Sequence, residues 1–236
     1  SPARPRFSMA SLTSLVGALV PFGGMAMALT AKGEPPQLAK QPDAKMSRPM
    51  LFVPGFQSKD ECFDQLTSKL TSDGLNGGQV YYVDGFGVYS DLECKKKANL
   101  VDGDSRVFVA ALGAKRDSPP VVASVLERAL SQISQLTGQK VDVTGYSMGG
   151  LAIRVYLDRG GQDIGKFMMV GTPNQGSPLA AMGMGLLDKE NEGKSVGWIL
   201  NRGPKPLNQR DRSSLGWLMP AQNNPGLELL NSRWDV

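Results

Sequence analysis

Histidine is missing altogether from this chain of 236 residues. That absence removes the commonest general base at neutral pH and the commonest metal ligand. With only two cysteines, most zinc, copper and non-haem iron sites are excluded as well. Cys62 and Cys94 could form one bridge or remain two half-buried thiols, so the redox compartment stays open. A charge excess is also lacking: 26 basic residues against 22 acidic ones leave +4. The longest basic run, Lys95-Lys96-Lys97, is short and flanked by Glu93 and Asp102. This excludes a broad phosphate-binding face, and no nucleic-acid partner is expected. Asp102-Gly103-Asp104 is followed by too few oxygen ligands for a calcium loop. No metal and no cofactor is expected.

One uncharged stretch stands out, from Ser8 to Ala31, with Arg4 and Arg6 before it and Ala26, Ala28 and Ala31 near its end. That is the layout of a signal peptide or weak membrane anchor, although Pro21, Gly23 and Gly24 interrupt it. The other reading is an apolar arm that packs on the domain or on a neighbour. Targeting would put the protein in a secreted, periplasmic or membrane-associated location, with a membrane surface as a partner. The start at Ser1 rather than Met reads as a processed chain. Gly33 to Ser47 is polar and carries Pro35, Pro36 and Pro42, as a linker does. The chain therefore divides into an apolar segment and linker, 1–47, and a domain, 48–236, long enough for one core.

Within the domain, Pro49 to Val53 is a short apolar run ended by Pro54-Gly55, as in a strand buried on both faces. Helical spacing runs from Asp60 to Thr71 through Phe63, Leu66 and Leu70, and Gly74 stops it. Gln79–Val83 and Arg106–Ala110 read as strands. Ser118-Pro119 opens a helix whose Val122, Leu126, Ala129, Ile133 and Leu136 share one face until Gly138. Lys140–Thr144 is a strand, Leu151–Leu157 a helix, and Phe167–Val170 one more buried strand. Alternating strands and helices predict an α/β fold with a mostly parallel sheet and helices on both faces. After Ser177 the pattern loosens through Met182-Gly183-Met184-Gly185 into a polar stretch holding Trp198 and Trp217. About 178–217 is expected to be a loop-rich lid or binding element, the alternative being a helical excursion with its aromatics in the core.

The chemistry concentrates at Gly145-Tyr146-Ser147-Met148-Gly149, between a strand and a helix. A serine on such a strained turn has its hydroxyl exposed at the carboxyl edge of the sheet. Gly145 and Gly149 there remove Cβ atoms that would collide with neighbouring elements. Ser147 is the candidate nucleophile, and the Met148 N–H at the helix start is the first oxyanion donor. The second should come from Val53-Pro54-Gly55-Phe56-Gln57, where Gly55 permits close approach; the Phe56 N–H is the first choice and Gln57 the alternative.

Val53-Pro54-Gly55-Phe56, Gly145 to Leu151 and Val170-Gly171-Thr172-Pro173-Asn174-Gln175-Gly176-Ser177 together resemble the bacterial lipase and lipase-like branch of the α/β-hydrolase superfamily. The resemblance runs from about Arg48 to Asn231 and includes Leu218-Met219-Pro220 and Leu229-Leu230-Asn231. It implies an α/β-hydrolase fold with a lid insertion, and hydrolysis of a lipid or other acyl ester through a Ser-Asp-His triad. Two departures stand out. Pro54 replaces a histidine frequent in relatives, and the last strands, whose ends bear the triad Asp and His, are not matched in 48–236. Asp158, Asp163, Asp188, Asp211 and Asp235 are expected to be solvated surface charges. The expected function is thus a serine ester hydrolase, impaired as an isolated chain, whose Asp and His come from a downstream segment or companion chain. The alternatives are a non-catalytic lipid- or protein-binding module of the same fold and an acyltransferase.

Overall fold

The computed structural model describes residues 45–58, 61–112, 117–193 and 207–234. The apolar amino-terminal stretch, nearly all of the linker, Asp60, Trp198 with the middle of the expected lid, and Asp235 lie outside the described residues.

Among the described residues, six strands form one sheet: β1 Met50–Val53, β2 Tyr81–Val83, β3 Val88–Tyr89, β4 Val107–Ala110, β5 Val141–Tyr146 and β6 Ile164–Val170. Their order is β3-β2-β4-β1-β5-β6, and all neighbours are parallel except β2 and β3. Six α-helices among the described residues accompany them: α1 Asp64–Ser72, α2 Pro119–Thr137, α3 Met148–Asp158, α4 Pro178–Asn191, α5 Arg212–Leu218 and α6 Pro225–Ser232. No helix among the described residues is long and apolar enough to cross a membrane.

Side-chain alternation in β1 sets the layers. Leu51 and Val53 join a cluster with Val122, Leu126 and Ile133 of α2 and Leu151 of α3. Phe52 points the other way and packs with Phe63, Val107 and Val109, its ring centroid 5.3 Å from that of Phe63. Both faces of β1 are therefore covered, which is why its sequence is a continuous apolar run. In β1 and β5, Val53 lies opposite Gly145. The turns that follow these two strands thus leave the carboxyl edge of the sheet side by side.

Helix α2 starts where Pro119 follows Ser118, whose carbonyl accepts from the Val121 and Val122 amides. It stops at Gly138, which takes the left-handed conformation at φ 67°. Its buried face matches the spacing except at Leu136, which is exposed, and Leu66 of α1 is likewise exposed.

Three features differ from expectation. β6 is not a buried strand: Lys166, Met168 and Val170 alternate outward, with Met168 46% exposed. As the edge of the described sheet it is covered on one face only. The short antiparallel β3 carries no hydrophobic run and was not foreseen. The stretch after Ser177 is helical rather than loop-like: α4 contains both Gly183 and Gly185. Gly183 has a packing reason, since a Cβ there would lie 3.3 Å from Leu207 Cδ1 and 3.6 Å from Leu215 Cδ1. The half-buried Trp217 packs against the main core.

The α2 contact with the sheet should dominate stability. Leu126→Ala is expected to cost about 3 kcal/mol, whereas Leu229→Ala, at an exposed position, should stay within about 0.5 kcal/mol. Urea denaturation of the two variants checks the contrast.

Candidate active site

β5 runs into α3 through Ser147, which has φ 53° and ψ −125°. A side chain rarely adopts this conformation without surrounding structure that enforces it. Here the Ser147 amide donates to the Val170 carbonyl at 2.8 Å, and the Ser147 carbonyl accepts from Gly150 at 3.1 Å. Close backbone packing completes the restraint. A Cβ on Gly145 would lie 2.6 Å from both the Cα and the nitrogen of Gly150, and one on Gly149 would lie 2.7 Å from the Pro54 carbonyl oxygen.

The turn after β1 rests directly on the serine. A Cβ on Gly55 would come within 2.8 Å of Ser147 Cβ and 3.3 Å of its Oγ. Ser58 Oγ accepts from the Gly55 amide at 3.0 Å and closes this turn. Phe56 packs its ring against the main core, and Gln57 takes a positive φ of 53°. The Met148 side chain is buried in the same core. As the first residue of α3, Met148 has an amide without an acceptor inside the helix. The structure thus brings together Ser147, the α3 amino terminus bearing Met148, and the Gly55-Phe56 turn.

The acidic residues lie elsewhere. Arg233 donates to Asp158 at 2.6 Å, Arg212 to Asp188 at 2.5 Å and the Tyr156 hydroxyl to Asp163 at 3.4 Å. Asp211 corrects the expectation of a surface charge: it is 0% exposed. Its Oδ2 accepts from the Asn208 amide at 2.8 Å and its Oδ1 from Gln57 Nε2 at 3.3 Å. The signal for this burial was the Asn208-x-x-Asp211 spacing of a capping box.

Sequence reasoning also passed over Arg154, which is 0% exposed on α3. Its Nη1 donates to Asn174 Oδ1 and its Nη2 to Asn231 Oδ1, each at 2.9 Å, and its guanidinium lies 5.2 Å from the Trp234 ring centroid. Burial pulls its pKa down to about 10, which leaves it a cation at neutral pH. Asn231 Nδ2 donates in turn to the Asn174 carbonyl at 2.7 Å. A single cation therefore joins α3, the Thr172–Ser177 loop and α6. The clue was one arginine inside the apolar run Leu151 to Tyr156.

A cavity of about 610 Å³ opens at the same edge of the sheet, lined by Pro54, Cys62, Cys94, Leu112, Val122 and Val125 among others. Ser147 is not in its wall. Burial, reinforced by Asp84, Asp91 and Glu93, pushes the Cys94 thiol up to about 11.

The family model described as "Alpha/beta hydrolase of unknown function (DUF915)" matches residues 37–195. No curated protein matches the chain. Among solved structures, the mature form of the Bacillus licheniformis lipase BlEst2 aligns at a TM-score of 0.50 and 16% identity, over 81% of this chain and 60% of that one. Its propeptide form aligns at a TM-score of 0.49 and 16% identity, over 81% and 33%. The product of the gene lin2722 from Listeria innocua gives a TM-score of 0.43 at 16% identity, over 70% and 61%. At this identity the likeness concerns the fold, and the chain spans about three-fifths or less of these solved chains.

Gly149→Ala is expected to destabilise the protein by about 3 kcal/mol, because the new methyl meets two carbonyl oxygens of the backbone. Gly185→Ala, in open space within α4, should raise stability by about 0.5–1 kcal/mol; thermal melts compare the two. Alkylation of Cys94 should still accelerate with pH at pH 10, where an ordinary thiol has levelled off. Peptide mapping after timed iodoacetamide exposure gives that profile.

Proposed function

The chain belongs to the α/β-hydrolase family of unknown function DUF915, and from that premise we propose that it is a serine carboxylic-ester hydrolase of lipase or phospholipase type. The observation that carries this reading is Ser147 at φ 53° between β5 and α3, with Gly55 against its side chain. In the proposed reaction Ser147 Oγ attacks the acyl carbonyl carbon while its proton passes to a histidine. The tetrahedral oxyanion is received by the Met148 and Phe56 amides. The same imidazole then protonates the departing alcohol, and water releases the acid from the acyl-enzyme.

This chain contains no histidine, so the imidazole and the Asp that orients it come from a companion chain or a segment downstream of Val236. A lipidic substrate is supported by α4, which leaves Leu179 and Met182 each 56% exposed. Three residues apart, they share a helix face beside the Thr172–Ser177 loop. That face suits a lid meeting an acyl chain or a lipid surface, in keeping with an exported or membrane-associated protein.

Fluorophosphonate labelling tests the proposal. Ser147 is expected to be labelled, Ser147→Ala is not, and the downstream or companion segment should accelerate labelling by about a thousandfold or more. Absence of labelling with and without that segment would overturn the enzyme reading in favour of a binding module.

A further inference from the structure

Gln57 presents a local conflict. It occupies φ 53°, a conformation that glycine takes freely and a residue with a Cβ resists, yet the position holds a glutamine. The side chain supplies a reason. Its Nε2 donates across 154 residues to Oδ1 of Asp211 at 3.3 Å, and Asp211 is completely buried. The carboxylate is itself fixed by a reciprocal cap. Its Oδ2 accepts from the Asn208 amide at 2.8 Å, while Asn208 Oδ1 accepts from the Arg210 amide at 2.9 Å.

Asp211 also stands at the head of a helical pair that holds together as a unit. Gln209 Nε2 donates to the Leu187 carbonyl at 3.1 Å, and Arg212 pairs with Asp188 at 2.5 Å. The far end of α5 is pinned to the Thr172–Ser177 loop that follows β6: the Ser177 amide donates to the Leu218 carbonyl at 2.7 Å, and Ala221 to the Gln175 carbonyl at 3.1 Å. A shift of α4 and α5 away from the sheet would therefore draw Asp211 off Gln57. Gln57 immediately follows Phe56, on the turn that touches Ser147.

The geometry points to Asp211 as a positioning residue for the oxyanion-side turn: through Gln57 it holds the Phe56-Gln57 peptide in its strained orientation, and it makes the oxyanion hole depend on the seating of α4 and α5. This rests on the serine-hydrolase reading above. Asp211 touches no reacting atom. Its effect reaches the reaction through backbone direction, so it should fall on the transition state and leave ground-state binding alone.

The test measures kcat and KM for p-nitrophenyl butyrate, together with fluorophosphonate labelling rates, in the full-length protein with the segment that supplies the base. Gln57→Ala is expected to lower kcat about tenfold with KM within about twofold, less than the about 10²–10³-fold cost of deleting an oxyanion donor outright. Asp211→Ala should lower kcat to the same extent, and the double variant no further than the worse single one, because both remove one interaction. Ile133→Val, in the α2 core away from the turn, should lower the melting temperature and leave kcat intact, which separates positioning from plain stability. If Asp211→Ala fails to fold, Gln57→Glu, which sets carboxylate against carboxylate from the half-buried side, should reproduce the loss in kcat. Losses that multiply in the double variant, or an unchanged kcat in Gln57→Ala while the parent turns over, would overturn the inference alone. A parent protein that neither labels nor turns over would remove the hydrolase reading and this inference with it.

Discussion

The site depends on one crossing of backbones. At Ser147 the chain leaves β5 and turns into α3 in a conformation that costs about 1–3 kcal/mol, and three close approaches keep it there. Gly145 lies against Gly150, Gly149 against the carbonyls that end β1, and Gly55 against the serine itself. None of the three tolerates a Cβ without displacement. The parallel pairing of β1 with β5, with Val53 opposite Gly145, delivers both turns to this point. The fold thus acts as a jig: the core fixes two strands, the strands fix two turns, and the turns hold the serine where its hydroxyl is presented.

Polar groups then lock the surroundings in register. A buried cation without neighbours would be prohibitive, and Arg154 instead meets two carboxamide oxygens and an aromatic face. Such contacts contribute little net stability compared with apolar packing. Losing any one of them leaves a charge undersolvated, however, so they act as stiff pins between segments distant in sequence. Arg154 pins residues 174 and 231 to α3, and Asp211 pins residue 57 to the head of α5.

The elements legible in the sequence were those whose signal is local. β1 and β4 announce themselves as apolar runs, β5 through Val141 and Val143 before the glycine turn, α2 through its Pro119 start and Gly138 stop, and the serine turn by its glycines. The failures share a cause as well. Phe167 to Val170 is as apolar as β1, but only the sheet order reveals that it lies at an edge. Gly183 and Gly185 suggested a loop because helix propensity counts against them, whereas tertiary packing outweighs that penalty at Gly183. Asp211 reads as a surface charge and Arg154 passes unnoticed, since Gln57, Asn174 and Asn231, which help make their burial tolerable, lie 154, 20 and 77 residues away. Each has a local cue, the capping-box spacing from Asn208 to Asp211 and the apolar run around Arg154, but the partners across the fold lie outside any such window.

In the proposed reaction the two halves of the catalytic apparatus make different demands. Stabilising an oxyanion requires amides already aimed at the oxygen before charge develops, and only rigid backbone can provide this. Accepting a proton requires an imidazole within hydrogen-bond reach of one hydroxyl, which a side chain on a separately placed segment can satisfy. On that proposal, the strained turns, close glycine contacts and buried pins would serve the first demand, and a histidine outside residues 1–236 the second. Oxyanion stabilisation and binding alone leave about 10³–10⁴-fold catalysis over water when a triad is broken.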